Sequence, residues 1–248
     1  ILAAVRSAKS AGLRVSVLPG ILESVEGSVV FDDLDGLLLL GVPRFGLTRS
    51  SAAVKRAFDL VATIPLLLAA TPVIVVAAIM IKLDTPGPVF FRQIRVGRGR
   101  ERFLIFKLRT MVDGADAMKA GLADLNEAGA EMFKIGDDPR ITRAGRWLRR
   151  TSLDELPQLF NVLRGEMSLV GPRPLIGAED ELIDASDQRR AYLTPGMTGP
   201  WQILGGPTRV PLTEMVKMDC LYVANWSLWN DVKIMLRTVP VVIARRGQ

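Results

Sequence analysis

A chain of 248 residues is long enough for one or two domains with a real core. Lys and Arg number 32 against 26 Asp and Glu, a net charge of +6 that suits anionic lipid, phosphorylated substrates or nucleic acid. The absence of His and the single Cys220 exclude an intramolecular disulfide, imidazole-based triads and most zinc enzymes; acid–base or covalent chemistry falls to carboxylates, Lys, Tyr, Ser, Thr or the one thiol.

The chain starts on Ile1 rather than Met, so the expectation is that it continues a longer protein. Residues 1–50 read as the tail of a soluble, nucleotide-binding-like α/β region plus a linker. Ile1–Gly12 has the pattern of a helix end, Leu13–Leu18 that of a strand and Asp35–Val42 that of a short strand, with Pro43–Ser51 as linker. No Gly-rich phosphate loop is visible there.

Residues 51–248 read as a second domain, opened by the long apolar run 58–81. Twenty-four helical residues measure about 36 Å, enough to cross a bilayer. Two features favour a helix over about 55–82 that enters, bends and returns. Thr71-Pro72 sits mid-run, where an interior proline kinks a helix, with Pro65 a further irregularity. Both flanks are basic, Lys55 and Arg56 before and Lys82, Arg92, Arg95, Arg98 and Arg100 after, so both ends prefer the cytoplasmic face.

Beyond Asp84-Thr85-Pro86-Gly87-Pro88, the spacing predicts two strands around a turn at Gly97-Arg98-Gly99. Residues 113–132 have helical composition. Residues 137–150 predict a basic amphipathic helix: Arg143, Arg146, Arg149 and Arg150 oppose a stripe of Ile141, Ala144 and Leu148, and Trp147 suits a membrane surface. Leu156, Leu159, Phe160 and Leu163 repeat a helical spacing. Residues 165–176 and Tyr192–Gln202 read as loops. Asp219–Val242 reads as helix, with Tyr222, Trp226 and Trp229 placed for a headgroup belt or for core packing. Cys220 reads as a small buried hydrophobe.

Asp154-Glu155 falls where a helix should begin. Ser152-Leu153-Asp154-Glu155 matches a capping box, with Ser152 as N-cap and Glu155 at the third helical position. Arginines upstream and Arg173 downstream also make an anion site of this helix start, and would lower a carboxylate's pKa there. An ionised carboxylate can attack phosphorus, and a second can hold Mg²⁺ against diphosphate oxygens. Lys107 and Arg109 alternate in a predicted strand, where a solvated face is the plain reading; Pro172-Arg173-Pro174 can be read as a rigid turn alone.

Several blocks in order carry a resemblance. The run 138–174 (DPRITRAGRWLRRTSLDELPQLFNVLRGEMSLVGPRP) closely resembles the signature of bacterial monotopic phosphoglycosyl transferases, the polyprenyl glycosylphosphotransferase or bacterial sugar transferase family. Lys55-Arg56-Ala57-Phe58-Asp59, Gly87–Gln93, Phe106–Met111, Pro195–Gln202 and Asp219–Asp231 agree, so that the likeness spans about 52–248. It implies an α-rich α+β fold: a membrane-embedded monotopic domain with one re-entrant helix, amphipathic interfacial helices and a small β-hairpin over the active site. It implies Asp154 as nucleophile and Glu155 as the Mg²⁺ ligand. Lys107, Arg109, Arg149, Arg173 and Gln202 would contact substrate, with Asp231 a further functional acid. The implied activity is transfer of a phosphosugar from a UDP-sugar to a polyprenyl phosphate, releasing UMP through an aspartyl-phosphosugar intermediate, to initiate exopolysaccharide, capsule or O-antigen assembly. Expected partners are both substrates and membrane lipid, at the cytoplasmic face of a bacterial inner membrane; a homodimer fits the reading and nucleic acid does not. Thr71-Pro72 replaces the family's usual Ser-Pro, and Gly199-Pro200-Trp201 its usual Gly-Leu-Trp. A non-catalytic lipid-binding scaffold accounts for the charge and the Trp residues but leaves the carboxylate pair unexplained. A multi-spanning transferase needs more than one long apolar run.

Overall fold

The computed structural model describes residues 30–34, 37–41, 46–126, 135–203 and 210–243, and the chain divides into two compact units, Ile1–Arg44 and Phe45–Gln248. In the first, β1 (Val30–Leu34) and β2 (Leu37–Gly41) form an antiparallel hairpin, pairing Val30 with Gly41 and Leu34 with Leu37. The strand expected over Asp35–Val42 is β2; the helix end and strand expected over residues 1–18 lie outside the described residues.

The second unit begins with α1 (Arg49–Asp84), whose N-cap Thr48 accepts from the Ser51 N–H at 3.2 Å. The helix continues through Pro65 and Pro72 without interruption. Thr71 Oγ1 donates to the Leu67 carbonyl at 2.8 Å, a back-bond to the preceding turn beside Pro72. The buried residues Lys55, Asp59, Thr63, Ala70, Ile74, Ala77 and Ile81 recur at spacings of three, four and seven, so one narrow stripe faces the domain. The rest of the helix carries Val61, Ile64, Leu68, Val75, Val76 and Ile79 into the open. Its most apolar window has a mean hydropathy of 2.6 and is only 22% buried, so the helix is long and apolar enough to enter a membrane.

Both ends are fastened to the same unit. Arg56 donates to the carbonyls of Val162 and Leu163 at 2.6 and 2.7 Å. At the far end, Asp84 Oδ2 accepts from the Ala144 N–H at 2.9 Å.

After the turn at Pro86-Gly87, β3 (Phe90–Val96) and β4 (Arg102–Leu108) form the expected hairpin, in register from Phe90 opposite Leu108 to Val96 opposite Arg102. Gly99 takes a φ of +65°, which the tight turn needs and glycine adopts freely. The segment expected as a helix over 113–132 is a 3₁₀ turn at Ala117–Leu125, and residues 127–134 lie outside the described part.

The basic helix is shorter than its spacing predicts. It is α2 (Arg143–Thr151), capped by Thr142 Oγ1, which accepts from the Gly145 N–H at 2.9 Å. Residues 138–142 instead form a turn followed by a bridge: Ile141 N–H donates back to the Asp138 carbonyl at 3.0 Å, Met111 bridges Ile141, and Val112 N–H and Thr142 N–H donate to the Arg140 and Thr110 carbonyls. Asp138, at the N-terminal end of the segment expected as helix, is paired with Arg140 at 2.6 Å. Ala144, Gly145 and Leu148 face inward while Arg143, Arg146, Trp147 and Arg150 are exposed, as the amphipathic pattern requires.

A 3₁₀ turn at Leu153–Glu155 leads into α3 (Gln158–Arg164). Its inward face is Gln158, Leu159, Asn161 and Val162; Phe160, expected on the apolar stripe, is exposed. Asn161 explains the phase. Its Nδ2 donates to the Leu104 carbonyl and its Oδ1 accepts from the Phe106 N–H, sewing α3 to β4. The two segments expected as loops contain a parallel pair, β5 (Ser168–Val170) and β6 (Gly196–Thr198). They approach so closely that a Cβ on Gly171 would stand 2.4 Å from the Thr194 carbonyl oxygen, and one on Gly196 would stand 2.1 Å from the Gly171 nitrogen.

The remaining elements are α4 (Gly177–Glu181), a 3₁₀ turn at Ala185–Tyr192, α5 (Pro200–Ile203), α6 (Leu212–Ala224) and α7 (Leu228–Ile243). Pro200 opens α5, a position where its missing N–H costs nothing. The single helix expected over Asp219–Val242 is two, separated at Asn225–Ser227. Tyr222 is core, Trp226 is half-buried and Trp229 alone of the three aromatics is exposed. Cys220 is only partly buried, its thiol 3.3 Å from the Asp187 carbonyl, and burial pushes it up to about 11. The second unit is therefore helix-rich α+β, with two small two-stranded pairings among its described residues and one long apolar helix.

Candidate active site

A cleft of about 520 Å³ opens between the inner face of the β3–β4 hairpin, the 110–116 segment, α2, the 152–158 turn and the loops at 173–174 and 196–202. Strand alternation sends Gln93, Arg95, Ile105 and Lys107 into it. Asp154, Glu155, Lys107, Arg109, Arg149, Arg173 and Gln202 all line it, drawn from five separate stretches of chain.

Ser152 does not form the expected capping box. It takes a left-handed φ of +55°, closes α2 as its C-cap and makes no side-chain cap bond. That sharp turn lets α2 end and a new turn begin within one residue, which leaves Asp154 and Glu155 both facing the cleft. Glu155 Oε1 accepts from Lys107 Nζ at 2.7 Å. Asp154 receives no hydrogen bond from another residue in the described chain. Burial, and then the Glu155 charge, push its carboxyl up to about 6; Lys107 and Arg149 pull the other way and lose. The lowering expected from the surrounding arginines is thus reversed, because desolvation and the like charge outweigh them.

Arg149 Nε donates to Thr110 Oγ1 at 2.9 Å, and its charge acts on Asp154. Arg109 lines the cleft but spends its guanidinium on the α1–β3 turn, donating to the Pro86 and Thr85 carbonyls at 2.5 and 2.8 Å. Arg173 stands 5.7 Å over the Trp201 ring, next to Gln202 at the same end of the cleft. Asp231 lies apart from the cleft lining. It is fully buried and holds Lys55 Nζ at 2.7 Å, the Tyr222 hydroxyl at 2.7 Å and Trp226 Nε1 at 3.1 Å, where α1 meets α7. Thr71 and Pro72 belong to the apolar helix, away from the cleft.

Arg95 is a cleft cation that sequence reasoning treated only as flanking charge. Its signal was the alternation: it stands two and four residues from Gln93 and Phe91, all on the face that Lys107 joins across the ladder. Burial pulls its guanidinium down to about 10, and Glu179 lies 3.9 Å away.

Among the described residues no three Asp, Glu, Cys or His side chains converge as a metal site. Two adjacent carboxylates nonetheless suit Mg²⁺, which takes one or two carboxylates and completes its shell with water and phosphate oxygens.

Two adjacent carboxylates in a cleft with five lining cations suit a site that takes anionic groups, and the same unit carries a helix long and apolar enough to enter a membrane. The sequence profile of the family described as "Bacterial sugar transferase" matches residues 50–245, and the chain belongs to that family. It is 44% identical over 217 residues to the "Undecaprenyl-phosphate galactose phosphotransferase" of Salmonella typhimurium, covering 85% of this chain and 45% of that protein. It is 40% identical over 241 residues to the "UDP-galactose-lipid carrier transferase" of Erwinia amylovora, covering 94% of this chain and 50% of that one. The "UDP-glucose:undecaprenyl-phosphate glucose-1-phosphate transferase" of Caulobacter vibrioides is 45% identical over 199 residues, 76% of this chain and 69% of its own. The chain thus spans about half the length of the first two relatives.

Proposed function

We propose that this chain carries the catalytic domain of a sugar-1-phosphate transferase that uses a UDP-sugar donor and a polyprenyl phosphate acceptor. The observation that carries the reading is the Asp154–Glu155 pair, held together in one cleft with Lys107, Arg149 and Arg173. The Asp154 carboxylate attacks the phosphorus that bears the sugar. The bond from that phosphorus to the bridging oxygen breaks, and UMP leaves. An oxygen of the acceptor phosphate then attacks the same phosphorus, which frees the carboxylate and gives polyprenyl-diphospho-sugar. Lys107, Arg149 and Arg173 hold the phosphate oxygens and offset their charge. Glu155 would hold Mg²⁺, which neutralises diphosphate charge when bound.

The acceptor is tethered to lipid and the donor is soluble, so the cleft belongs at headgroup level. A helix α1 that dips into the cytoplasmic leaflet of the inner membrane and returns gives that depth. Supporting this are the fastening of both ends to one unit and the exposed apolar face between them. The products would begin assembly of a membrane-linked polysaccharide.

The test is to incubate the purified protein with Mg²⁺, polyprenyl phosphate and a panel of UDP-sugars, and to measure UMP. Release with at least one sugar is expected; none with any, from folded protein, overturns the reading. Donor alone should leave a phosphosugar adduct on the wild type and none on Asp154→Asn. Cysteines placed near 52 and 84 should both label from the cytoplasmic side; labelling from opposite sides means that α1 crosses.

A further inference from the structure

The tripeptide Pro172-Arg173-Pro174 has a single backbone N–H, that of Arg173, since proline has none. That N–H donates to Asp219 Oδ2 at 3.1 Å. The Arg173 carbonyl accepts from Arg190 Nη2. Asp219 and Arg190 are paired with each other, Arg190 Nη2 to Asp219 Oδ2, at 2.7 Å, with 1% and 5% of their side chains exposed. One buried ion pair therefore grips both polar groups of the Arg173 peptide. The neighbouring carbonyls are held as well: Pro172 accepts from the Gly196 N–H at 2.8 Å and Pro174 from Arg95 Nη1 at 3.1 Å.

The side chain is treated differently. The Arg173 guanidinium has a carboxylate oxygen of Glu179 at 3.7 Å, a weak bond to Met215 Sδ at 3.8 Å and the Trp201 ring below it. None of these is a short charge-assisted hydrogen bond, so its strong donors stay available to the cleft. The backbone is pinned and the head is left ready for a ligand.

Stability does not account for the pair. Asp219 Oδ1 is buried with no hydrogen-bond partner, and burial pushes this carboxyl upward. Taking two charges out of water is expensive, and apolar pairs of similar volume often stabilise a fold as well or better. Neither Asp219 nor Arg190 lines the cleft.

We propose that Asp219 and Arg190 are positioning residues whose task is to fix Arg173 against the diphosphate of the donor. This rests on the donor reading above and deepens it. Misplacement of a binding group by about 1 Å far from the chemistry can cost on the order of 100-fold. Arg190→Lys keeps the charge but loses the forked grip.

The test uses the full chain in detergent, with UDP and Mg²⁺ titrated calorimetrically and donor kinetics measured alongside. Arg190→Lys should weaken UDP binding and raise the donor KM by about tenfold, with kcat within about twofold. Arg173→Ala should do at least as much. In the Arg173→Ala background, Arg190→Lys should add less than about twofold, since the residue it positions is gone. Asp219→Asn, which keeps an acceptor for the Arg173 N–H, provides the second route if the lysine variant does not fold. An unchanged KM in a folded variant, or an equal loss with and without Arg173, overturns the proposal and leaves the donor reading intact. A wild type that neither binds UDP nor releases UMP overturns both.

Discussion

Asp231 and Asp154 are both aspartates placed among cations, and the protein holds them in opposite ways. Asp231 is sealed at the root of α1 with both oxygens occupied, one by Tyr222 and the other by Lys55 and Trp226. Asp154 sits half-buried at the cleft with a second carboxylate beside it and no hydrogen bond from another described residue, and its carboxyl is pushed up to about 6. Nearness to positive charge does not separate a structural acid from a reactive one. What separates them is satisfaction: a carboxylate whose lone pairs are all used is a fastening, and the one left short of partners is the one proposed above as the nucleophile.

The largest effect should come from Asp154→Asn. With Asp154 as the proposed nucleophile, turnover should fall by about 10⁴-fold or more, since the amide cannot take its place. The same change should raise thermal stability. A carboxyl lifted to about 6 from 3.8 opposes folding once ionised, so wild-type stability declines as pH rises from about 4 to 6. Removing that charge should add about 1–3 kcal/mol at neutral pH, read from melting curves. Asp231→Ala should behave inversely. It leaves Lys55 buried with the Val170 carbonyl at 2.9 Å as its one hydrogen-bond partner among the described residues and the Asp59 charge nearby, and should cost about 3–5 kcal/mol in denaturant unfolding.

Smaller effects sharpen the contrast. If Asp154 reacts as a carboxylate, single-turnover adduct formation at fixed donor should fall about tenfold per pH unit below about 6. Glu155→Gln removes the like charge and should move that limb to lower pH, though the maximal rate drops. An unmoved limb would mean that burial alone sets it. Lys107→Met should shift the limb upward, because Lys107 is the larger of the two cationic influences lowering the Asp154 pKa. Its pair with Glu155 is partly exposed, so stability should change by less than about 1 kcal/mol.

These two aspartates also mark what could be read from the sequence. The long apolar run, the hairpin and the basic helix follow from local periodicity, and each is present in the fold. The carboxylate pair stood out because histidine is absent and arginines surround it. Whether each acid is wet or sealed is a tertiary property, and there local reasoning went astray. Ser152 reads as an N-cap by spacing, yet its left-handed backbone makes it a helix end. The arginines near Asp154 suggested a lowered pKa, since burial is invisible in one dimension. Asn161 set the phase of α3 through bonds to β4 that no apolar pattern records. Strands of three residues, such as Ser168–Val170 and Gly196–Thr198, are too short to show any alternation.

Those two short strands constrain anyone who rebuilds the cleft. Gly171 and Gly196 touch backbone to backbone, with no room for a methyl group on either. The loops that they carry, one bearing Arg173 and the other leading to Trp201 and Gln202, were therefore shaped against each other. In a chimaera with a relative, a graft of one loop alone would meet a foreign partner along that seam and spring it open. The interchangeable cassette is both loops together, and a search for altered sugar preference does best to swap them as a pair.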